Sequence, residues 1–270
     1  MTQAANVQQF AAWTQQWISR LNQNVTRLAQ KVAAIEARAV LNEHNRKARM
    51  PLEFRSQYGE DMLLWALFEG QLDGFYIEVG AFDGVTLSVS YAFDAIGWDG
   101  LLIEALPEIA LACKQNRPNA RVENFALARA GATGTTTFHV AGDGAGSVFS
   151  YREPTAAHSQ LLEQQGVQSR PITVPVTSLD ALLEHHDRPI DFAVIDVEGG
   201  EADLLAGFDL ARWQPRVLLI EDNTRGQDPA LNAIFASQPY ELMGWIEVNR
   251  LYIHNNDEAL KAKFKRHTAS

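Results

Sequence analysis

The residues best equipped for chemistry are acids and glycines that end apolar runs. In Gly74-Phe75-Tyr76-Ile77-Glu78-Val79-Gly80-Ala81-Phe82-Asp83-Gly84, a buried-strand pattern carries Glu78 and then breaks on Gly80 and Gly84, with Asp83 between them. Small residues at such a turn let a ligand approach the backbone, and the N-terminus of a following helix offers N–H groups. The next apolar run, Gly100 to Glu104, also ends on an acid. Together they form a strand, glycine turn, helix, strand and acid, about the length of a βαβ unit. A third run, Ile190 to Ile195, leads into Asp196-Val197-Glu198-Gly199-Gly200-Glu201. Ligands of open α/β sheets bind at the carboxyl ends of the strands. Asp196 and Glu198 are therefore expected to face the same crevice as Glu78 and Glu104.

These acids constrain the ligand. A dinucleotide site calls for three glycines and no negative charge beside the pyrophosphate, whereas here Gly80 and Gly84 are flanked by Glu78 and Asp83. Carboxylates repel a diphosphate and suit a ligand bearing an ammonium and a sulfonium. S-adenosylmethionine carries both, and its ribose diol offers Glu104 two hydroxyls. Candidate cofactor-binding residues are Glu78, Gly80, Ala81, Asp83, Gly84, Ser88, Glu104, Ala105, Ala126 and Asp196.

The elements that position these residues alternate strand and helix. Thr86 to Ile96 reads as the helix after the glycine turn, with Ser88 and Ser90 at its start to cap it or meet ligand. Pro107 to Asn116 reads as a second helix with Pro at its first turn. Arg121 to Leu127 reads as a third strand, with Asn124 and Ala126 near its end where an adenine sits in such sheets. Gly134 to Val140 alternates as a strand carrying His139. Gly142 to Ser147 reads as a lid or substrate loop, and the region 150–170 as helical. Arg216 to Glu221 is a further strand, and Tyr240 to His254 a terminal hairpin. Ahead of the first core strand, Ser56-Gln57-Tyr58-Gly59-Glu60-Asp61 is placed to cap a helix and to close over the ligand.

The chain has 270 residues, a net charge of −10 and one cysteine, Cys113. The acidity argues against nucleic acid as a partner. A single cysteine forbids an intrachain disulfide and fits a reducing, cytoplasmic location. No apolar run is long enough for a membrane span, and no secretory signal is visible. The first 45 residues contain no Gly or Pro, with Ile18, Val25, Val32 and Ala39 seven apart and Leu21, Leu28 and Ile35 three later. This a/d heptad, β-branched mostly at a and Leu mostly at d, favours a parallel dimer, with a trimer as the alternative. The implied division is a coiled-coil segment at 1–45, a basic linker at 46–55, a main domain at 56–256 and a basic tail at 257–270, in which Glu258 to His267 reads as a short, solvated basic helix.

Across Ser56 to His254 the sequence resembles the FkbM family of S-adenosylmethionine-dependent methyltransferases. The resemblance rests on Ser56-Gln57-x-Gly59-Glu60-Asp61, Glu78-Val79-Gly80-Ala81-x-Asp83-Gly84 and Gly97-Trp98-x-Gly100-x-x-Ile103-Glu104. It continues through Asn116-Arg117-Pro118, Leu179-Asp180, Ile190-Asp191-Phe192 and Ile195-Asp196-Val197-Glu198-Gly199. It ends with Gly207-Phe208-Asp209, Arg212-Trp213-x-Pro215-Arg216 and Ile220-Glu221-x-Asn223. One departure is Ser88-Val89-Ser90, where the family often has Ser-Asn-Thr. The resemblance implies a Rossmann-like class I methyltransferase fold: a seven-stranded, mostly parallel sheet with helices on both faces and an antiparallel last strand. It implies methyl transfer to a hydroxyl of a sugar, a polysaccharide or a secondary metabolite. It implies that Glu78, Gly80, Asp83 and Gly84 hold the methionine part of the cofactor, Glu104 the ribose, and that Ala126 lines the adenine pocket.

A hydroxyl attacks a methyl sulfonium in line and must lose its proton to a base or bind a metal. The candidate catalytic residues are Asp196, Glu198 and His139. Asp196 with Glu221, Asp222 or Asn223 offers the oxygen ligands that Mg²⁺ prefers. Each candidate has a purely structural reading: Asp196 ordering its turn, Glu198 capping the next helix, His139 facing solvent from a strand. Two rival functions are an NAD-dependent oxidoreductase or epimerase, and a noncatalytic saccharide-recognition scaffold assembled by the coiled coil. A homo-oligomer joined through the N-terminal helix, acting on a small-molecule or saccharide acceptor, is the expected form.

Overall fold

The computed structural model describes residues 3–141, 150–151, 169–197 and 199–268, with side chains from residue 13 onward except at 139, 141, 150, 151 and 169. The lid loop expected at 142–147, residues 152–168 of the expected helical region, and Glu198 lie outside the described residues.

Short runs of β-branched, aromatic and leucine side chains form the strands. In chain order they are Phe75–Val79 (β1), Asp99–Ile103 (β2), Arg121–Glu123 (β3), Ala126–Leu127 (β4), Thr135–Ala141 (β5), Ser150–Tyr151 (β6), Ser169–Thr177 (β7), Phe192–Ile195 (β8), Val217–Glu221 (β9), Tyr240–Ile246 (β10) and Asn249–His254 (β11). Seven of them make one sheet in the order β10-β11-β9-β8-β1-β2-β3. β1 runs parallel to β2 and β8, β2 to β3, and β8 to β9, while β11 is antiparallel to both β9 and β10. The mostly parallel sheet with an antiparallel last strand is thus present. Chain order reverses between β1 and β8, and that switch opens a crevice at the carboxyl ends of the two strands. β4, β7, β5 and β6 form a second sheet.

Both faces of the main sheet are covered, as buried parallel strands require. Alternation sends Tyr76, Leu102, Phe192, Val194, Val217, Leu219, Leu251 and Ile253 into one apolar layer, with Trp98, Phe93 and Phe68. It sends Ile77, Val79, Leu101, Ile103, Ala193, Ile195, Leu218 and Ile220 into the other, with Leu204, Phe208 and Leu231. Helices Glu60–Phe68, Tyr91–Ile96 and Glu258–Thr268 contribute to the first layer. Helices Leu179–Leu182, Glu201–Leu205, Leu210–Trp213 and Pro229–Phe235 contribute to the second.

Four segments differ from the pattern the sequence suggests. The strand expected over 121–127 breaks after Glu123, because the Asn124 amide turns back to donate to the carbonyls of Glu104 and Ala105, both at 2.8 Å. The helix expected from Thr86 begins only at Tyr91, since residues 88–90 spend their donors on Glu78. The basic linker is tied down: Arg46 pairs with Asp73, and Arg49 donates to the Trp98 carbonyl. The basic C-terminal segment forms the expected helix, Glu258–Thr268, but it is docked rather than solvated and buries Leu260 and Phe264.

The N-terminal helix, α1, spans Gln3–Glu43, which at 1.5 Å per residue is about 60 Å of rod. Its last turns bury Ala33, Ala37 and Leu41 in the same apolar layer as Leu64, Trp65 and Phe68. Among the described residues no helix is long and apolar enough to cross a membrane.

Candidate active site at the β1–β8 switch point

The glycine turn is welded to the ends of its neighbouring strands. Gly80 and Ala81 donate their N–H groups to the Ile103 carbonyl, and Asp196 donates its N–H to the Val79 carbonyl. Gly80 has φ of 79°, and a Cβ there would lie 1.8 Å from the Asp196 carbonyl oxygen. No other residue type fits so close an approach. Gly84, at φ of 74°, abuts Arg117 and Cys113 in the same way.

Glu78 is buried, and its carboxylate faces the segment that follows the turn. It accepts from Ser88 Oγ at 2.8 Å, Val89 N at 2.9 Å, Ser90 N at 3.2 Å and Ser90 Oγ at 2.5 Å. Behind this segment lies Arg117, completely buried. It pairs with Asp94 at 2.7 Å and donates to Tyr76 Oη at 2.7 Å, Gly84 O at 2.9 Å, Ser90 Oγ at 3.0 Å and Ser88 Oγ at 3.2 Å. Burial disfavours the guanidinium charge, but Tyr76, Asp94 and Glu78 outweigh it and raise the Arg117 pKa above its usual value. Sequence reasoning places Arg117 only within a motif. Its partners lie 23 to 41 residues away in the chain, so local pattern carries no sign of its role.

Asp83 closes its own turn: Oδ1 accepts from Val85 N and Thr86 N, and Oδ2 from Thr86 Oγ1. Glu104 is differently disposed. Its Oε2 accepts from Phe82 N at 3.0 Å and its Oε1 from Leu106 N at 2.8 Å. With the Ala105 N–H, three protein donors meet about four lone-pair sites, so capacity is left for a hydroxyl. Burial raises the Glu104 pKa, opposed by the N–H groups of Leu106, Phe82 and Ala105. Ala105 stands beside it with its carbonyl held by Asn124. Ala126 is buried on β4 against Ala128, Val174 and Val176.

Across the switch point, Asp196 is exposed at the end of β8. Glu201, buried one turn further on, accepts from Val197 N and Gly199 N and so shapes this loop; burial raises its pKa. Tyr58 lies within range of the Asp196 charge. Glu60 accepts from Tyr58 N at 2.9 Å and Asn249 Nδ2 at 2.9 Å. The Tyr58 hydroxyl is held above its ordinary pKa by burial and by the charges of Glu247, Glu60, Glu221 and Asp196. The Ser56–Asp61 turn thus leads into the helix Glu60–Phe68 and brings Tyr58 within range of the Asp196 charge.

The oxygen set expected for Mg²⁺ is not assembled. Asp222 is an ion-pair partner: it accepts from Arg250 Nε at 2.7 Å, Thr224 N and Oγ1, and Gly226 N. Burial pushes its pKa up, but those bonds outweigh it and hold the carboxyl below its usual value. Among the described residues no group of three or more His, Cys, Asp or Glu side chains is arranged to hold a metal ion. His139 belongs to β5 of the second sheet, in register with Tyr151 and Pro171; its side chain is outside the described residues.

Residues 78–249 match the Methyltransferase FkbM domain. The chain belongs to the FkbM methyltransferase family. The FkbM match begins on Glu78 and ends on Asn249, so it takes in the glycine turn, Glu104 and Asp196, while the Ser56–Asp61 turn lies outside it. It also removes the main motive for a dinucleotide reading. No curated protein sequence matches the chain significantly. Among solved structures, this FkbM chain is similar to the METTL16 MTase domain at 13% identity, covering 73% of this chain and 66% of that one, with a TM-score of 0.41. It thus spans slightly under two thirds of that relative. It is similar to a human methyltransferase 10 domain containing protein at 12% identity, covering 84% and 96%, with a TM-score of 0.42. It is also similar to an O-methyltransferase from Bacillus cereus in complex with SAH, at 14% identity, covering 82% and 90%, with a TM-score of 0.35.

Proposed function

We propose that this FkbM protein moves the methyl group of S-adenosylmethionine to a hydroxyl oxygen of a saccharide or secondary metabolite. The observation that carries the reading is the β1–β8 switch point, where Gly80 leaves no room for a side chain and Glu104 keeps acceptor capacity beyond its protein donors. That remaining capacity suits a ribose hydroxyl. Glu78 and Asp83 serve the pocket through the backbone they fold. When bound, the cofactor supplies an electrophilic methyl on a sulfonium.

The remaining chemistry falls to this chain. The acceptor hydroxyl must be aligned, shielded from water and relieved of its proton. Asp196 is the exposed carboxylate at the crevice and is assigned as the general base: its oxygen takes the proton as the hydroxyl oxygen gains the methyl. Ala126 lines the adenine side, and the Tyr58 rim covers the acceptor side. Glu198 and His139 remain further candidates for proton transfer.

Isothermal titration tests the cofactor: S-adenosylhomocysteine binds and NAD does not. Glu104→Ala lowers the S-adenosylhomocysteine affinity roughly 10- to 100-fold, the scale of one hydrogen bond to a charged group. Asp196→Asn leaves that affinity unchanged and lowers kcat about 10²- to 10⁴-fold, measured with labelled cofactor and saccharide extracts. Absence of S-adenosylhomocysteine binding would return the noncatalytic scaffold as the better account.

A further inference from the structure

Helix α1 has two faces of different use, and the domain takes one of them. With Ile18 at position a, the residues turned toward the domain occupy positions b, c and f. Thr26, Gln30, Ala33, Ala37 and Leu41 are partly or fully buried there, and Gln30 Nε2 donates to the Ser56 carbonyl at 2.9 Å. The opposite face carries the seam. Ile18, Leu21, Val25, Leu28, Val32 and Ile35 are each between 50% and 69% exposed. They extend along about 26 Å of helix. So much aligned apolar surface marks an interaction site.

We propose that a second copy of this chain covers this seam as a parallel, in-register, two-stranded coiled coil. Three observations select that occupant. The domain packs on the b/c/f face, so it does not stand between two seams. The a positions hold Ile18, Val25 and Val32 and the d positions hold Leu21 and Leu28, the choice that favours two parallel strands. The flanking charges agree with that register. In a parallel pair each g residue meets the e residue five positions on in the partner helix. Lys31 at g then faces Glu36, and Arg38 at g faces Glu43, all four exposed. An antiparallel pair would set g against g and e against e, placing like charges together. This inference is independent of the methyl-transfer reading.

Light scattering on the full-length protein at micromolar concentration is expected to give twice the 30.0 kDa of one chain. A monomer, trimer or tetramer overturns the proposal. Leu21→Asp with Leu28→Asp is expected to give a monomer whose domain unfolds at the same temperature, because both side chains point away from the domain. A dimer that persists overturns it. Direction is read independently with Leu21→Cys under mild oxidation, since Cys113 is buried. A covalent dimer supports the parallel register, and its absence overturns it. Finally, a chain with Lys31→Glu and Arg38→Glu is mixed with one carrying Glu36→Lys and Glu43→Lys. Mixed pairs should exceed either self-pair by about tenfold; equal or preferred self-pairing would count against the register.

Discussion

Arg117 is the residue whose loss should be felt most widely. It is buried with Asp94 and reaches both ends of the segment between Gly84 and Ser90. Arg117→Ala leaves the Asp94 carboxylate uncompensated in the interior, a change that costs about 3–5 kcal/mol. Urea unfolding at neutral pH should show that loss. Glu78→Gln is milder: it swaps one acceptor oxygen for a donor among four donating groups, and should cost about 1–3 kcal/mol. Acids and glycines at strand ends are legible in the sequence because their types announce themselves. What Glu78 touches is not, since the two serines that bind it look like helix caps. Arg117 is illegible as a centre because every partner is supplied by another element.

At the scale of elements, the Ser56–Asp61 turn gives a pH signature. Asp61 is fully buried, accepting from Arg55 N, Ser56 N, Ser56 Oγ and Met62 N. Burial pushes its pKa from 3.8 up to about 6, against the pull of those bonds. A raised carboxylate pKa means the folded state holds the proton longer than the unfolded chain. Its contribution is therefore full below about pH 4 and is lost as pH rises through about 6, a change of about 3 kcal/mol. The stability gap between the wild type and Asp61→Asn should narrow as pH is raised from about 4 to about 7, measured by denaturant unfolding. The strands and their order are legible from apolar runs ending in acids and glycines. The helix at 86–96 is half legible: its apolar end forms, while its serine end answers to Glu78 across the turn.

For the whole molecule, the stalk and the domain are one packing unit only over the last turns of α1. Deleting residues 1–22 removes no side chain described as buried against the domain and should leave Tm unchanged. Deleting residues 1–45 strips Ala33, Ala37 and Leu41 from the apolar layer, at a cost of about 3 kcal/mol, or roughly 6–12 °C in Tm. The heptad is legible in the sequence, but the second, domain-facing stripe is not, because alanines and a glutamine at b and f give no strong apolar period. The C-terminal helix is legible in the sequence, but its docking is not, for a related reason: its lysines and arginine hide the pair Leu260 and Phe264.

β1 pairs on one side with β2, a short crossover away, and on the other with β8, joining Tyr76 to Phe192. Nearly half the polypeptide must be synthesised between those two partners. An emerging nascent chain therefore carries an unsatisfied strand edge until the later half leaves the ribosome, and long-range pairing of this kind is slow. Because Gly80 meets the Asp196 carbonyl across that same seam, the capacity to take up S-adenosylhomocysteine should be the last property recovered on refolding, after tryptophan fluorescence has already returned.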